Sequence, residues 1–135
     1  MKLLSWNIRG CNNPLKKQLL KRKIQLENPA ILFRQETKCS SEDMESLCKR
    51  IWKGAKIVVN DAAGAVAGIS MLWNPNLVSI TNTCATRYLI SAWFHILRTE
   101  VRGVVSNAYG PFKKKQKGSF LEDIHNTKDW IGHEH

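Results

Sequence analysis

Apolar and polar positions alternate at two different periods along this chain, and the change of period marks out its elements. Lys2–Asn7 is a short apolar run that reads as a buried strand. Asn13-Pro14 then has the chemistry of a helix start, with Asn as cap and Pro in the first turn. Leu15, Leu19, Leu20 and Ile24 recur at helical spacing, with Lys16, Lys17, Lys21 and Lys23 between them. The spacing predicts an amphipathic helix that buries those four apolar residues, carries a basic outer face and stops at Asn28-Pro29. Ala30–Gln35 predicts a second buried strand. Ser40-Ser41 followed by Glu42 and Asp43 predicts a capped helix to about Trp52, with Met44, Leu47, Cys48 and Ile51 as its core stripe.

Beyond that helix the pattern turns to strands. Lys56–Val59 is one, and the Ala- and Gly-rich stretch Asp61–Gly68 is a loop or hairpin. Ile69–Trp73 and Leu77–Thr81 flank the turn signal Asn74-Pro75-Asn76. Tyr88–Ile96 and Val101–Tyr109 form another antiparallel pair, broken by Gly110-Pro111. Phe120, Leu121, Ile124 and Ile131 suggest a closing helix. The expected class is α+β, with packed layers of sheet and helix. The 135 residues read as a single domain or part of one.

Composition narrows the picture. At 43% hydrophobic, the chain can build a core and is not expected to be disordered. Its 21 basic and 11 acidic residues give a net charge of +10, which favours polyanionic partners. No apolar run approaches the roughly 18 residues that span a bilayer. The polar turn after Leu4 comes too early for a signal peptide. An intracellular protein, nuclear or cytoplasmic and not secreted, is the expectation. The cysteines at 11, 39, 48 and 84 form no C-x-x-C pair and have no histidine at zinc-finger spacing, so all four are read as structural.

Three polar motifs sit where predicted strands end. Ser5-Trp6-Asn7-Ile8-Arg9 closes the first strand, Gln35-Glu36-Thr37-Lys38 the second, and Asn107-Ala108-Tyr109 the last. An Asn there can hold a phosphate oxygen or orient a metal-bound carboxylate. Glu36 is the kind of oxygen ligand a hard cation such as Mg²⁺ uses, with waters and substrate phosphate completing the shell. Lys38 can meet a phosphate, and the phenol of Tyr109 can hydrogen-bond one. Singly, each has a blander explanation: a turn residue, a solvated acid, an aromatic closing the sheet. Together they line three strand ends that one rim of a sheet could gather.

The string "KLLSWNIRG…NNPLKK…ILFRQETKCSS" resembles the opening of the endonuclease/exonuclease/phosphatase superfamily, which has the DNase I-like fold. It is most similar to the apurinic-endonuclease-like domain of plant LINE-type retrotransposons. The resemblance continues through "RIWKGAK", "MLWNPNLV", "VRGVVSNAYGPF" and "LEDIHNTKDWIGHEH". It implies a four-layer αββα sandwich, here in its N-terminal portion, and Mg²⁺-dependent phosphodiester cleavage. It also implies roles. Glu36 is the metal-binding carboxylate, Asn7 belongs to the network around metal and phosphate, and Tyr109 positions the scissile phosphate. Arg9 stands where some relatives carry an Asp, so a metal role does not carry over to it and a phosphate contact is the alternative, beside the one open to Lys38.

The same resemblance requires a Gly-Asp-x-Asn segment after the strand of Tyr109 and a later Ser-Asp-His. Neither occurs among Asp43, Asp61, Asp123 and Asp129 or His95, His125, His133 and His135. The expectation is therefore a truncated, catalytically incomplete domain. It would hold Mg²⁺ weakly or not at all, contact DNA through phosphates, and self-associate through exposed sheet. Two alternatives stand beside it. One is a non-catalytic basic module gripping nucleic acid through Lys16–Lys23 and Lys113–Lys117; the other is a phosphatase of the same superfamily. Arg34, in a run where the family is hydrophobic, is a departure whose burial would be costly.

Overall fold

A computed structural model describes residues 2–7, 14–35, 41–60, 69–86 and 89–108, with the side chains of residues 7, 41–44 and 60 outside that set. The chain opens with a βαβ unit. β1 (Leu3–Asn7) and β2 (Ile31–Gln35) run parallel, joined through α1 (Pro14–Glu27). Proline suits the first turn of α1, where its missing N–H has no helical partner to lose. At the other end Asn28 takes a left-handed conformation, φ 45°, and its N–H reaches the Ile24 carbonyl at 2.9 Å. That is a helix-ending cap, and Pro29 prevents continuation.

The buried face of α1 differs from the one its spacing predicted. Leu20 and Ile24 are buried, but Leu15 and Leu19 are 64% and 51% exposed. At about 100° per residue, positions 15 and 19 lie some 140° around the helix from positions 20 and 24. One sheet cannot cover both pairs, so the helix carries two apolar stripes and buries one.

α2 (Ser41–Ile51) lies beside α1. Leu47, Cys48 and Ile51 pack with Leu20 and Ile24 onto Leu32 and Leu72 of the sheet beneath. Lys49 and Arg50 occupy its last turn, where positive charge complements the helix dipole. The chain then turns through Trp52–Ala55, with Gly54 at φ +85°, into β3 (Lys56–Asn60) and β4 (Ile69–Trp73). The first sheet has the order β1-β2-β4-β3, antiparallel except for β1 with β2.

The Asn74-Pro75-Asn76 turn carries the chain into the second sheet. Asn74 accepts the Asn76 N–H on its side-chain oxygen at 2.9 Å, and its backbone N–H bonds the Ala30 carbonyl at 2.9 Å. This side-chain turn is why Asn suits the position. β5 (Val78–Ala85), β6 (Leu89–Ile96) and β7 (Arg102–Ala108) follow as an antiparallel meander. β5 runs longer than its predicted span because a bulge at Asn82, φ 38°, lets pairing resume beyond Thr81.

Strand alternation divides the core in two. Leu32 and Leu72 face the helices. Ile31, Phe33, Ile69 and Met71 face the second sheet and meet Val78, Ile90 and Ala92. The described residues thus form three layers: helices, four-stranded sheet, three-stranded sheet. This is the α+β, two-sheet arrangement expected of a partial DNase I-like sandwich. The expected closing helix of residues 120–131 lies outside the described residues.

Candidate active-site rim

β1 and β2 are parallel, so their C-terminal ends share one edge of the first sheet, with Asn7 the register partner of Gln35. β7 belongs to the other sheet, yet its C-terminal end arrives at the same place. The Gln35 Nε2 donates to Asn107 Oδ1 at 2.9 Å and to the Ala108 carbonyl at 3.4 Å. Asn107 donates in turn from Nδ2 to the Arg34 and Ser70 carbonyls, each at 3.3 Å. Asn107 is 2% exposed, so one carboxamide ties β7 to both β2 and β4 from inside the sandwich.

Buried carboxamides are held by this kind of matching: Nδ2 offers two protons to two carbonyls, and Oδ1 accepts one from Gln35. Beside it Ser91 and Ser106 share a 2.7 Å hydroxyl contact across β6 and β7. The three strand ends that carry the polar motifs therefore converge on one rim.

Asn7 is the last residue of β1, with its backbone paired to Gln35 and its side chain outside the described set. Glu36 and Lys38 follow Gln35 in sequence, Arg9 follows β1, and Tyr109 follows Ala108; all four lie outside the described residues. Among the described residues no three His, Cys, Asp or Glu side chains come together as a metal site. The rim's described polar groups are amides already committed to one another and to carbonyls. They do not fit a divalent cation by themselves, and the acid of this rim's motif is Glu36.

Sequence reasoning passed over Gln35 and Asn107 as functional positions, although both stood inside the quoted motifs. The available signal was an amide on the apolar strand Val104–Ala108, where burial demands a partner. Arg34 is buried as the sequence warned, at 2% exposed. It alternates with Phe33 and so lies on the helix side, and burial pulls its guanidinium down to about 10. Burial likewise pushes the nearby Cys48 thiol up to about 11.

Solved structures with the same arrangement are numerous. A mannosyl-6-phosphatase from Bacteroides thetaiotaomicron superposes with a TM-score of 0.72 over 96% of this chain and 59% of its own, at 14% identity. The endonuclease domain of TRAS1, a telomere-specific non-LTR retrotransposon, gives 0.64 over 92% and 52%, at 18% identity. D. rerio TDP2 complexed with a single-strand DNA product gives 0.63 over 93% and 53%, at 14% identity. The chain therefore spans between half and three fifths of the length of these structures. No protein-family model and no curated protein sequence matches it. At these identities the likeness establishes architecture: the chain has the DNase I-like fold of the endonuclease/exonuclease/phosphatase proteins.

Proposed function

We propose that this chain is part of a retrotransposon-derived endonuclease domain of the plant LINE type, built for metal-dependent cleavage of DNA phosphodiesters. The observation that carries the reading is the Gln35–Asn107 hydrogen bond. It ties the strand end before Glu36 to the strand end before Tyr109, and Asn7 pairs with Gln35 on the same rim. Glu36 follows one of these strand ends in sequence and Tyr109 the other, which supports a shared neighbourhood of acid, amide and phenol of the kind that phosphoryl chemistry requires. Glu36 is the carboxylate a Mg²⁺ ion would use, Asn7 and Tyr109 the groups for the scissile phosphate, and Arg9 and Lys38 its electrostatic contacts. The net charge of +10 suits a polyanionic substrate.

The 135 residues alone are expected not to cleave. The Gly-Asp-x-Asn and Ser-Asp-His motifs are missing from their sequence. Groups that act together in catalysis lose nearly everything when several are removed.

The test is nicking of supercoiled plasmid by the purified chain, with Mg²⁺ and with chelator, beside Glu36→Ala. A folded sample that does not nick, yet binds duplex DNA with an affinity falling steeply as salt rises, fits the proposal. Mg²⁺-dependent nicking lost in Glu36→Ala would overturn the incompleteness. Phosphate release from a sugar phosphate, with no DNA binding, would move the chain to the phosphatases of this fold.

A further inference from the structure

α1 carries an apolar stripe that the fold leaves outside. Leu15, Leu19 and Leu26 are 64%, 51% and 73% exposed, which makes them three of the five large hydrophobic side chains exposed among the described residues. With Arg22 they follow the spacing 15, 19, 22, 26, that is four, three, four. This is the a/d spacing of a two-helix coiled-coil seam, with leucines at three positions and an arginine at the fourth. The four positions fall within a band about 60° wide at 100° per residue. The band points away from the buried Leu20 and Ile24.

The charge beside the stripe says what could cover it. α1 holds Lys16, Lys17, Lys21, Arg22 and Lys23 against a single acid, Glu27. Glu27 is engaged by Lys23 and Lys2, both at 3.3 Å, and its carboxyl is held below the usual range by those contacts. In heptad terms Lys16 and Lys23 flank the seam at e positions, Gln18 and Gln25 at g positions, and Arg22 stands within it. Flanking residues of this kind select the partner by charge, and a polar residue inside a seam fixes register.

We propose that the outer face of α1 is a docking surface for an acidic amphipathic helix of a partner protein. That helix would present apolar residues at four-three spacing, glutamates or aspartates along the flank that meets Lys16 and Lys23, and an acid opposite Arg22. A second copy of this chain is a poor occupant. A parallel pair would set Arg22 against Arg22, and an antiparallel pair would set Lys16 against Lys23 and bury Arg22 over Leu19. A lipid surface is also a poor occupant, because interfacial helices use a wide apolar face. Here the stripe is narrow, lacks aromatics and is interrupted by Arg22. α1 spans 14 residues, about 21 Å or two heptads, and is already held in helical form by the sheet, so a partner need order only itself.

The experiment uses the full chain and a fluorescein-labelled 21-residue helical peptide with Leu at a and d, one Glu at the d position facing Arg22, and Glu at e and g. A twin with Lys at e and g is the control. Anisotropy should show binding of the acidic peptide, no binding of the basic twin, and weakening as NaCl rises. Leu15→Glu/Leu19→Glu/Leu26→Glu, changes at exposed positions, should weaken binding more than tenfold with an unchanged circular dichroism spectrum. Lys16→Glu/Lys23→Glu should reverse the preference toward the basic twin, which a general loss of fold could not do. Failure of the acidic peptide to bind the folded chain, or binding indifferent to these changes, overturns the proposal. So does finding instead that the leucine changes release the chain from phosphatidylserine vesicles or duplex DNA, or dissolve a dimer.

Discussion

Replacing Asn107 tests whether the rim depends on a tie between the two sheets. Asn107→Leu keeps the branching at Cγ and removes all three hydrogen bonds. The Arg34 and Ser70 carbonyls lose a donor inside the sandwich, and Gln35 Nε2 loses the nearer of its two acceptors. The two bonds from Nδ2 are long, at 3.3 Å, and a carbonyl keeps a second lone pair for its strand partner, so each counts near the low end. The 2.9 Å bond is shorter, but Gln35 is only half-buried and can recover with water. At about 0.5–1.5 kcal/mol per bond the loss comes to roughly 2–3 kcal/mol. For a chain of this size that lowers Tm by roughly 6–12 °C.

Asn107→Asp sharpens the test. Its carboxylate would face two carbonyl oxygens where Asn places an amino group, so at neutral pH it should be less stable than Asn107→Leu. Its folded-state pKa is expected above its unfolded value, because burial and the carbonyls both disfavour the charge. Such a group costs stability while ionised. The cost is relieved as pH falls through the raised pKa, so Asn107→Asp should approach Asn107→Leu in acid. Urea unfolding at neutral and acid pH reads both effects, and amide exchange of residues 31–35 and 102–108 reads whether the rim opens first. An Asn107→Leu protein as stable as the parent, or an Asp variant as stable as the Leu variant at neutral pH, would refute the reasoning.

Other outcomes are equally checkable. Gly54→Ala should cost about 1 kcal/mol, since a β-carbon at φ +85° is strained although nothing lies within 4 Å of it; Gly54→Asn should cost less in the same melt. A β-carbon at Gly103 would sit 3.1 Å from the Phe94 ring, so Gly103→Val should lower Tm, and a double-mutant cycle with Phe94→Ala should show that penalty shrinking. The Cys48 thiol is held protonated to about 11 by burial, so it should resist iodoacetamide at pH 8 until the chain unfolds, as peptide mass mapping would show. The unfolded thiol ionises near 9.0, so above that pH the unfolded state releases its proton first and stability falls. Cys48→Ala should flatten the first part of that loss, near pH 9; closer to pH 10 the lowered Arg34 guanidinium begins to contribute with the opposite sign.

The strand pattern was legible where a segment obeys a single period, although β1, expected to be buried, lies at the sheet edge with Leu3 exposed and Leu4 and Trp6 half-buried. Ile69–Trp73 was read to the residue, and Asn74-Pro75-Asn76 announced its turn through chemistry that the Asn74 side chain carries out. α1 was misread on one face because it has two apolar stripes, and spacing alone does not say which of them meets the sheet. Sheet order was not legible. That β4 inserts between β2 and β3, and that β5 leaves for the second sheet, depend on pairings far apart in sequence. The rim was legible as three motifs but not as a connected site. The bond joining Gln35 to Asn107 spans 72 residues, and nothing local in either segment names the other.

The proposed rim draws its groups from both sheets. Asn7 ends β1 and Glu36 follows β2 in sequence, and those two strands are paired through a continuous ladder in the first sheet. Tyr109 follows β7 in sequence, and among the described residues β7 reaches the first sheet across the packed core, through Asn107 and through the Gln35 bond to the Ala108 carbonyl. Backbone pairing inside a sheet fixes spacing closely; packing between sheets tolerates sliding unless something pins it. A buried carboxamide bonded to two strands of one sheet from a strand of the other is such a pin, because its three bonds are directional and apolar contacts are not. The amide at 107 therefore holds the end of β7 in register with the end of β2, and under the proposed function that register sets the spacing of the rim. In any longer form of this domain that cleaves DNA, Asn107→Leu should lower kcat far more than it raises KM, and a Glu36 substitution in the same background should add little further loss. Equal and independent losses would mean that the two sheets are held in register by something else.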